Sequence, residues 1–152
     1  MQHRNKQMGF SLLEVLIVVA ILAILISIAI PAYENYKDKQ NIVQAKTDIL
    51  ELQVIIDRFY VANNRFPNNL AEINENVRED PWGNSYYYTN VSTAKNKGSM
   101  RKDKNLTPVN SDYDLYSAGK DRRTSLPFTA SHSHDDIVRC NNGSFIGLAL
   151  DY

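Results

Sequence analysis

The chain has 152 residues, with 17 basic and 17 acidic side chains and a formal net charge of zero. That balance leaves no electrostatic footprint for nucleic acid, and no nucleic-acid partner is expected. A single cysteine, Cys140, excludes an intramolecular disulfide. About 30 residues go to an apolar segment and its leader, so the remainder is enough for one small core.

Residues 1–9 carry His3, Arg4 and Lys6 and no acid, a pattern that keeps this end on the cytoplasmic side of a membrane. From Val15 to Ile30 the chain runs without a charge. As a helix, Phe10 to Ile30 would measure roughly 31 Å, about the thickness of a hydrocarbon core. A secretory signal has a shorter apolar core and a small-residue cleavage site after it. Here Ile28-Ala29-Ile30-Pro31-Ala32-Tyr33 leads straight into further helical pattern, so the segment is expected to stay. Glu14 stands near its start. A carboxylate in lipid costs on the order of 3 kcal/mol unless it is paired or reaches water, and a plain single-pass anchor gives no reason for it.

Past Pro31 the helical pattern continues. Ile42, Ala45, Ile49, Leu52, Ile56 and Phe59 recur at spacings of three and four, one apolar stripe with polar residues on most other faces. Asn63-Asn64 and Phe66-Pro67 end it. A continuous helix over 10–62 would be about 80 Å long, far more than a small domain needs. Pro31 lies inside it and cannot donate to the Ser27 carbonyl, which predicts a bend or a local opening.

Asn68 to Ile73 reads as a helical turn or loop. Asp80-Pro81-Trp82-Gly83-Asn84 reads as a tight turn before a tyrosine-rich strand at 85–89. Residues 92–111, with Lys95, Lys97, Arg101, Lys102 and Lys104, read as a solvated basic loop. Further strands are predicted at 113–117, 137–140 and 144–150, the last two joined by an Asn142-Gly143 hairpin turn. The outline is a long N-terminal helix whose second half packs on a small antiparallel sheet, an α+β arrangement.

Gly9-Phe10-Ser11-Leu12-Leu13-Glu14, followed by the apolar run to Ile30-Pro31, resembles the type IV pilin and pseudopilin superfamily. The resemblance implies cleavage between Gly9 and Phe10 by a prepilin peptidase, with N-methylation of Phe10. It implies a division into a leader at 1–9, a membrane and filament-core helix at 10–30, its amphipathic continuation at 31–64 and a periplasmic globular domain at 65–152. The subunit would sit in the bacterial inner membrane by a single pass and be drawn into a helical homopolymer. An inner-membrane platform, a cytoplasmic assembly ATPase and minor pseudopilins would take part, and assembly would rest on Phe10, Glu14 and Pro31. Glu14 would pair with the amine that cleavage exposes on Phe10 of a neighbouring subunit, each charge offsetting the other's desolvation.

The C-terminal half, through Asp80-Pro81-Trp82-Gly83-Asn84-Ser85-Tyr86, Asp114 to Asp121 and Asp135-Asp136-Ile137, is similar to the major pseudopilins of type II secretion systems. That similarity implies a structural calcium held by carbonyls near Leu115 and Ser117 and by Asp121, Asp135 and Asp136. Two departures stand out: His134-Asp135-Asp136 replaces an Asp-x-Asp before isoleucine, and Arg122 to Pro127 replaces a glycine-rich stretch. The segment 90–110 is also longer than the family pattern.

The chain is therefore expected to be a structural filament subunit and not an enzyme. The alternative is a type IV pilin of a surface fibre serving adhesion, motility or DNA uptake; a third reading is a membrane-anchored binding protein that never polymerises. His132 and His134 with Asp135 suggest zinc only weakly, because no third distant ligand is evident. Ser131, His132 and Asp135 lack a nucleophile-turn motif. Asn90, Asn105 and Asn142 fit glycosylation sequons by pattern alone.

Overall fold

A computed structural model describes residues 10–75, 77–94 and 96–152 of the chain. It divides into two compact units, Met1–Lys39 and Gln40–Tyr152. Helix α1, Leu12–Asn63, is assigned without interruption through Pro31. The bend or local opening expected at Pro31 does not end the helix. The loss of one donor is local, and the turns on either side continue the ladder. At the far end, the Asn64 N–H bonds to the Tyr60 carbonyl at 2.7 Å, with Asn64 in the left-handed region at φ 52°. This is a C-terminal stop that asparagine tolerates.

In the first unit the apolar side chains of α1 are exposed, and the most apolar window of the helix has no buried share. The helix is long and apolar enough to cross a membrane. In the second unit the same helix is amphipathic. Ala45, Ile49, Leu52 and Ile56 are fully buried, with Ile42 packed against them at the margin. Each fully buried Ile or Leu there contributes about 1.5–3 kcal/mol of transfer free energy.

Four strands follow in a simple meander: β1 Tyr87–Asn90, β2 Tyr113–Ser117, β3 Ile137–Cys140 and β4 Phe145–Leu148, each antiparallel to its neighbour. Tyr88 pairs with Leu115, Tyr116 with Val138, and Ile137 with Leu148. Tyr113, Leu115 and Ile137 join the helix residues in one core. Val138 and Cys140 join Val109, Phe128 and Ala149 in a second core on the opposite face. Both faces of the sheet are thus covered, which explains why β3 is buried at every position instead of alternating.

Three local expectations need correction. The first strand begins at Tyr87, because Ser85 pairs with Glu79 to close the preceding turn. The last strand ends at Leu148, where Ala149–Asp151 turn into a 3-10 helix and the Ala149 N–H bonds back to the Asp136 carbonyl at 2.9 Å. The turn between β3 and β4 uses more than Asn142-Gly143. Asn141, Asn142 and Gly143 all have positive φ, and Asn142 accepts the Ser111 N–H at 2.8 Å. Glycine is favoured at 143 by its φ of +91°, and a Cβ there would displace the Gln53 side chain of α1.

Residues 92–111 are not the solvated loop that their charge suggests. Met100, Arg101, Val109 and Asn110 are buried. The segment folds back over the sheet, with Lys102 bridging Pro127 in parallel. Asp114 holds it from the sheet, accepting the Arg101 N–H at 2.7 Å and Asn110 Nδ2 at 2.9 Å. A high lysine count misleads here because the buried positions are interleaved with the charged ones.

Candidate functional site

The first site is the start of α1. Phe10 precedes the helix and is 85% exposed. Ser11 stands at the N-cap position, and Glu14 lies three residues on. The Ser11 N–H donates to Glu14 Oε2 at 2.8 Å, and the Glu14 N–H donates to Ser11 Oγ at 3.4 Å. This reciprocal arrangement is a capping box, which satisfies two main-chain donors that the helix itself leaves open. Ser11-x-x-Glu14 was readable in the sequence as such a box, but the apolar setting drew attention to the carboxylate's burial instead. The same carboxylate also lies at the positive end of the helix dipole. Gly9 lies outside the described residues. Pro31 lies within α1, and in the preceding turn the Ser27 hydroxyl donates to the Ile24 carbonyl at 2.7 Å.

The second region is the end of the sheet where residues 118–136 turn. Asp80 organises one side of it. Its Oδ1 accepts the Trp82 and Asn84 N–H groups at 3.0 and 2.8 Å, and its Oδ2 accepts the Ser117 hydroxyl at 2.5 Å. Asn84 Nδ2 continues across to the Gly119 carbonyl at 3.1 Å. The Asp80-Pro81-Trp82-Gly83-Asn84 motif is therefore a turn whose first carboxylate ties it to the end of β2. Gly119 has φ +67°, and a Cβ on it would run into the Asp135 main-chain carbonyl. Only glycine fits there.

The five residues expected to hold calcium are not gathered as one ligand set. Leu115 and Ser117, whose carbonyls the resemblance assigns to calcium, lie on β2, and the Ser117 hydroxyl donates to Asp80. The Asp121 N–H donates to Asp135 Oδ2 at 2.9 Å, and Asp121 Oδ1 accepts the Arg123 N–H at 2.7 Å. Asp136 is fully buried, and its Oδ2 accepts Arg101 Nη2 and the Thr124 hydroxyl, both at 2.6 Å. Burial pushes the Asp136 carboxyl up to about 6, against the opposing pull of Thr124 and Arg101. Among the described residues no three His, Cys, Asp or Glu side chains are grouped to hold a metal. Calcium takes six to eight oxygens, and the set does not fit it as a whole.

The same count removes support from zinc at His132 and His134. His132 Nδ1 faces Asp121 Oδ2 at 3.8 Å, and Cys140 is buried in the second core. Of the sequons, Asn90 is buried, with its Nδ2 on the Pro67 carbonyl at 3.1 Å, so its amide is inaccessible in the folded chain.

Sequence reading missed two buried arginines. Arg139, on β3, grips Asp112 through Nη1–Oδ1 and Nη2–Oδ2 at 3.0 and 2.7 Å, reaches Gln53 of α1 at 3.0 Å, and lies 4.0 Å over the Tyr113 ring. Arg101 meets Asp136 on the other face through a single contact, Nη2 to Oδ2, and leaves Arg101 Nε and Asp136 Oδ1 buried without a hydrogen-bond partner among the described residues. Neither arginine carries a local sequence signal, since a buried arginine is recognised by its distant partner.

Comparison with known proteins covers both regions. The family model described as the prokaryotic N-terminal methylation motif matches residues 4–30. Type II secretion system core protein G of Vibrio cholerae is 34% identical over 108 residues, 58% of this chain and 74% of that protein. The proteins of the same name from Pseudomonas aeruginosa and Escherichia coli are each 27% identical, over 140 and 142 residues. Those matches cover 78% and 80% of this chain and 87% of each relative. No solved structure matches the chain. An apolar N-terminal helix that continues as an amphipathic one against a four-stranded antiparallel sheet defines a type IV pilin-like subunit. Within that class the similarity extends through the C-terminal domain and not only through the shared helix. The chain belongs to the type II secretion system core protein G family, the major pseudopilins.

Proposed function

We propose that this chain is the major structural subunit of a type II secretion pseudopilus, cleaved between Gly9 and Phe10 and methylated on Phe10 before assembly. The observation that carries this reading is the uncovered apolar half of α1 with Glu14 in its first turn beside Phe10. An exposed apolar helix of this length needs either lipid or other copies of itself. In the membrane, the capping box gives Glu14 local hydrogen bonds but no counter-charge. In a filament core, the new Phe10 amine of a neighbouring subunit supplies that charge and sets the axial register.

The chain's work on this reading is packing and charge pairing, with the energy for assembly supplied by a cytoplasmic ATPase acting through a membrane platform. Minor pseudopilins of the same helical design would cap or initiate the fibre, and the C-terminal domain would face the periplasm. The test is a deletion strain. Secreted enzymes should accumulate in the periplasm while surface fibres persist. Loss of surface fibres with intact secretion would overturn the reading in favour of a surface pilin, and a chain found only as a monomer would remove polymerisation altogether.

A further inference from the structure

We propose that the side chain of Arg101, and not a metal ion, fastens residues 118–136 to the sheet in this chain. Arg101 is 3% exposed although it comes from the long, lysine-rich connection between β1 and β2. Its Nη1 donates to Thr124 Oγ1 and to the Ser125 carbonyl at 2.5 and 2.6 Å, and its Nη2 donates to Asp136 Oδ2 at 2.6 Å. Thr124 in turn donates to the same Asp136 oxygen. The guanidinium lies 4.4 Å from the Tyr116 ring centroid and 4.9 Å from that of Phe128. Two aromatic faces and a carboxylate thus enclose the guanidinium.

The main chain around Arg101 is anchored as well. Its N–H is held by Asp114, its carbonyl accepts the Val109 N–H at 3.1 Å, and Lys102 exchanges bonds with Leu126 and Phe128 at 3.1 and 3.0 Å. The main chain beside the guanidinium is therefore held on one side by Asp114 of the sheet and on the other by Leu126 and Phe128 of the loop itself. One planar donor group reaches Thr124, Ser125 and Asp136 at once, and adds to the Thr124–Asp136 and Ser125–Ser133 bonds that the loop makes within itself.

A divalent ion on Asp136 would stand next to this permanent charge, which disfavours it electrostatically. Asp121 and Asp135 each spend one oxygen on a main-chain N–H, that of Arg123 and of Asp121 respectively, and the three acids do not group as a ligand set among the described residues. Two of the three sequence departures, the longer segment before β2 and the Arg122 to Pro127 stretch, are then one substitution. The first brings the arginine, and the second contains the Thr124 and Ser125 groups that receive it.

The experiment uses the full chain in detergent micelles, with calcium chloride and a chelator as the probes. Melting is followed by near-ultraviolet circular dichroism, and bound metal by equilibrium dialysis with radiocalcium. The wild-type chain should melt within about 1 °C with or without millimolar calcium and retain no stoichiometric calcium. Arg101→Met should lower the melting temperature by roughly 10 °C or more and open new protease cuts within 118–136. Thr124→Val removes only one hydroxyl, so it should fold and melt a few degrees lower. One bound calcium per wild-type chain, or a chelator-induced fall in its melting temperature, would overturn the proposal even if Arg101→Met does not fold. Wild-type melting in both variants would do the same.

Discussion

The main-chain N–H of Ser11 donates to Glu14 Oε2 at 2.8 Å, so the one carboxylate in the apolar stretch of α1 has a partner within its own turn. That bond changes the energetic reading of the helix start. An isolated carboxylate in lipid is costly, but one that caps a helix shares its charge with open N–H groups and the dipole. What it still lacks is an opposite full charge. In the proposed filament, assembly provides that charge and leaves the cap in place.

Glutamine at this position separates capping from charge. Glu14→Gln retains an oxygen for the Ser11 N–H and should preserve the whole box, whereas Glu14→Ala leaves the Ser11 hydroxyl cap but removes the acceptor of the Ser11 N–H, at a cost of about 1 kcal/mol. Both variants should be cleaved and inserted normally, and both should yield at least about tenfold fewer filaments if the ion pair drives assembly. Filament yield is read from sheared fibres, and processing from the mobility shift on cleavage. Normal fibres from Glu14→Gln would show that capping alone suffices.

Asp80 should be worth more to the fold than its place in a surface turn suggests. It is buried, and it accepts bonds from Trp82, Asn84 and Ser117. Asp80→Ala leaves those donors without a partner and should cost about 3 kcal/mol or more. Ser117→Ala removes one bond and should cost about 1 kcal/mol. Urea unfolding of the two variants checks the order. Equal losses would mean that the Ser117 bond dominates the network.

Gly119→Ala should destabilise by several kcal/mol, because positive φ and a collision with the Asp135 carbonyl act together. Gly143→Ala also has positive φ, but its collision is with the Gln53 side chain, which can rotate. It should cost less, and Gln53→Ala in the same chain should recover part of the loss. Recovery in the double variant, measured by thermal melting, distinguishes steric strain from the backbone term.

Cys140 should be inert in the folded chain. It is buried in the second core, and burial pushes its thiol up to about 12. Alkylation near pH 8.5 should therefore proceed only through unfolding and accelerate greatly in denaturant. The linkage has a definite sign. The folded value lies above the ordinary thiol value of 9, so this group's contribution to stability is present below pH 9 and is lost as pH rises toward 12. A Cys140→Ala chain should show a shallower alkaline loss of stability than the wild type.

The apolar stripe from Ile42 to Phe59 predicts the buried face of α1 because helical periodicity and burial are the same fact seen twice. The strands were legible for the same reason, at lower precision: Ser85 and Ala149 look like strand residues until the bridge to Glu79 and the bond to Asp136 claim them. The connection from 92 to 111 was misread because its buried residues are few and scattered among lysines. Arg101 and Arg139 were invisible for a stronger reason. A charged residue is buried only when a partner far along the chain meets it, and Asp136 and Asp112 lie 35 and 27 residues away from them.

Gly9 to Glu14 and the charge-free run that follows determined the membrane-length helix and the pilin-like class, because those properties depend on local spacing and on apolar length alone. Tertiary structure decided what becomes of the acids at the far end. Whether Asp136 faces a cation from solvent or an arginine from its own chain depends on where the β1–β2 connection folds. Asp136 bonds to Arg101, and with that pairing the fold directs its carboxylate to a guanidinium.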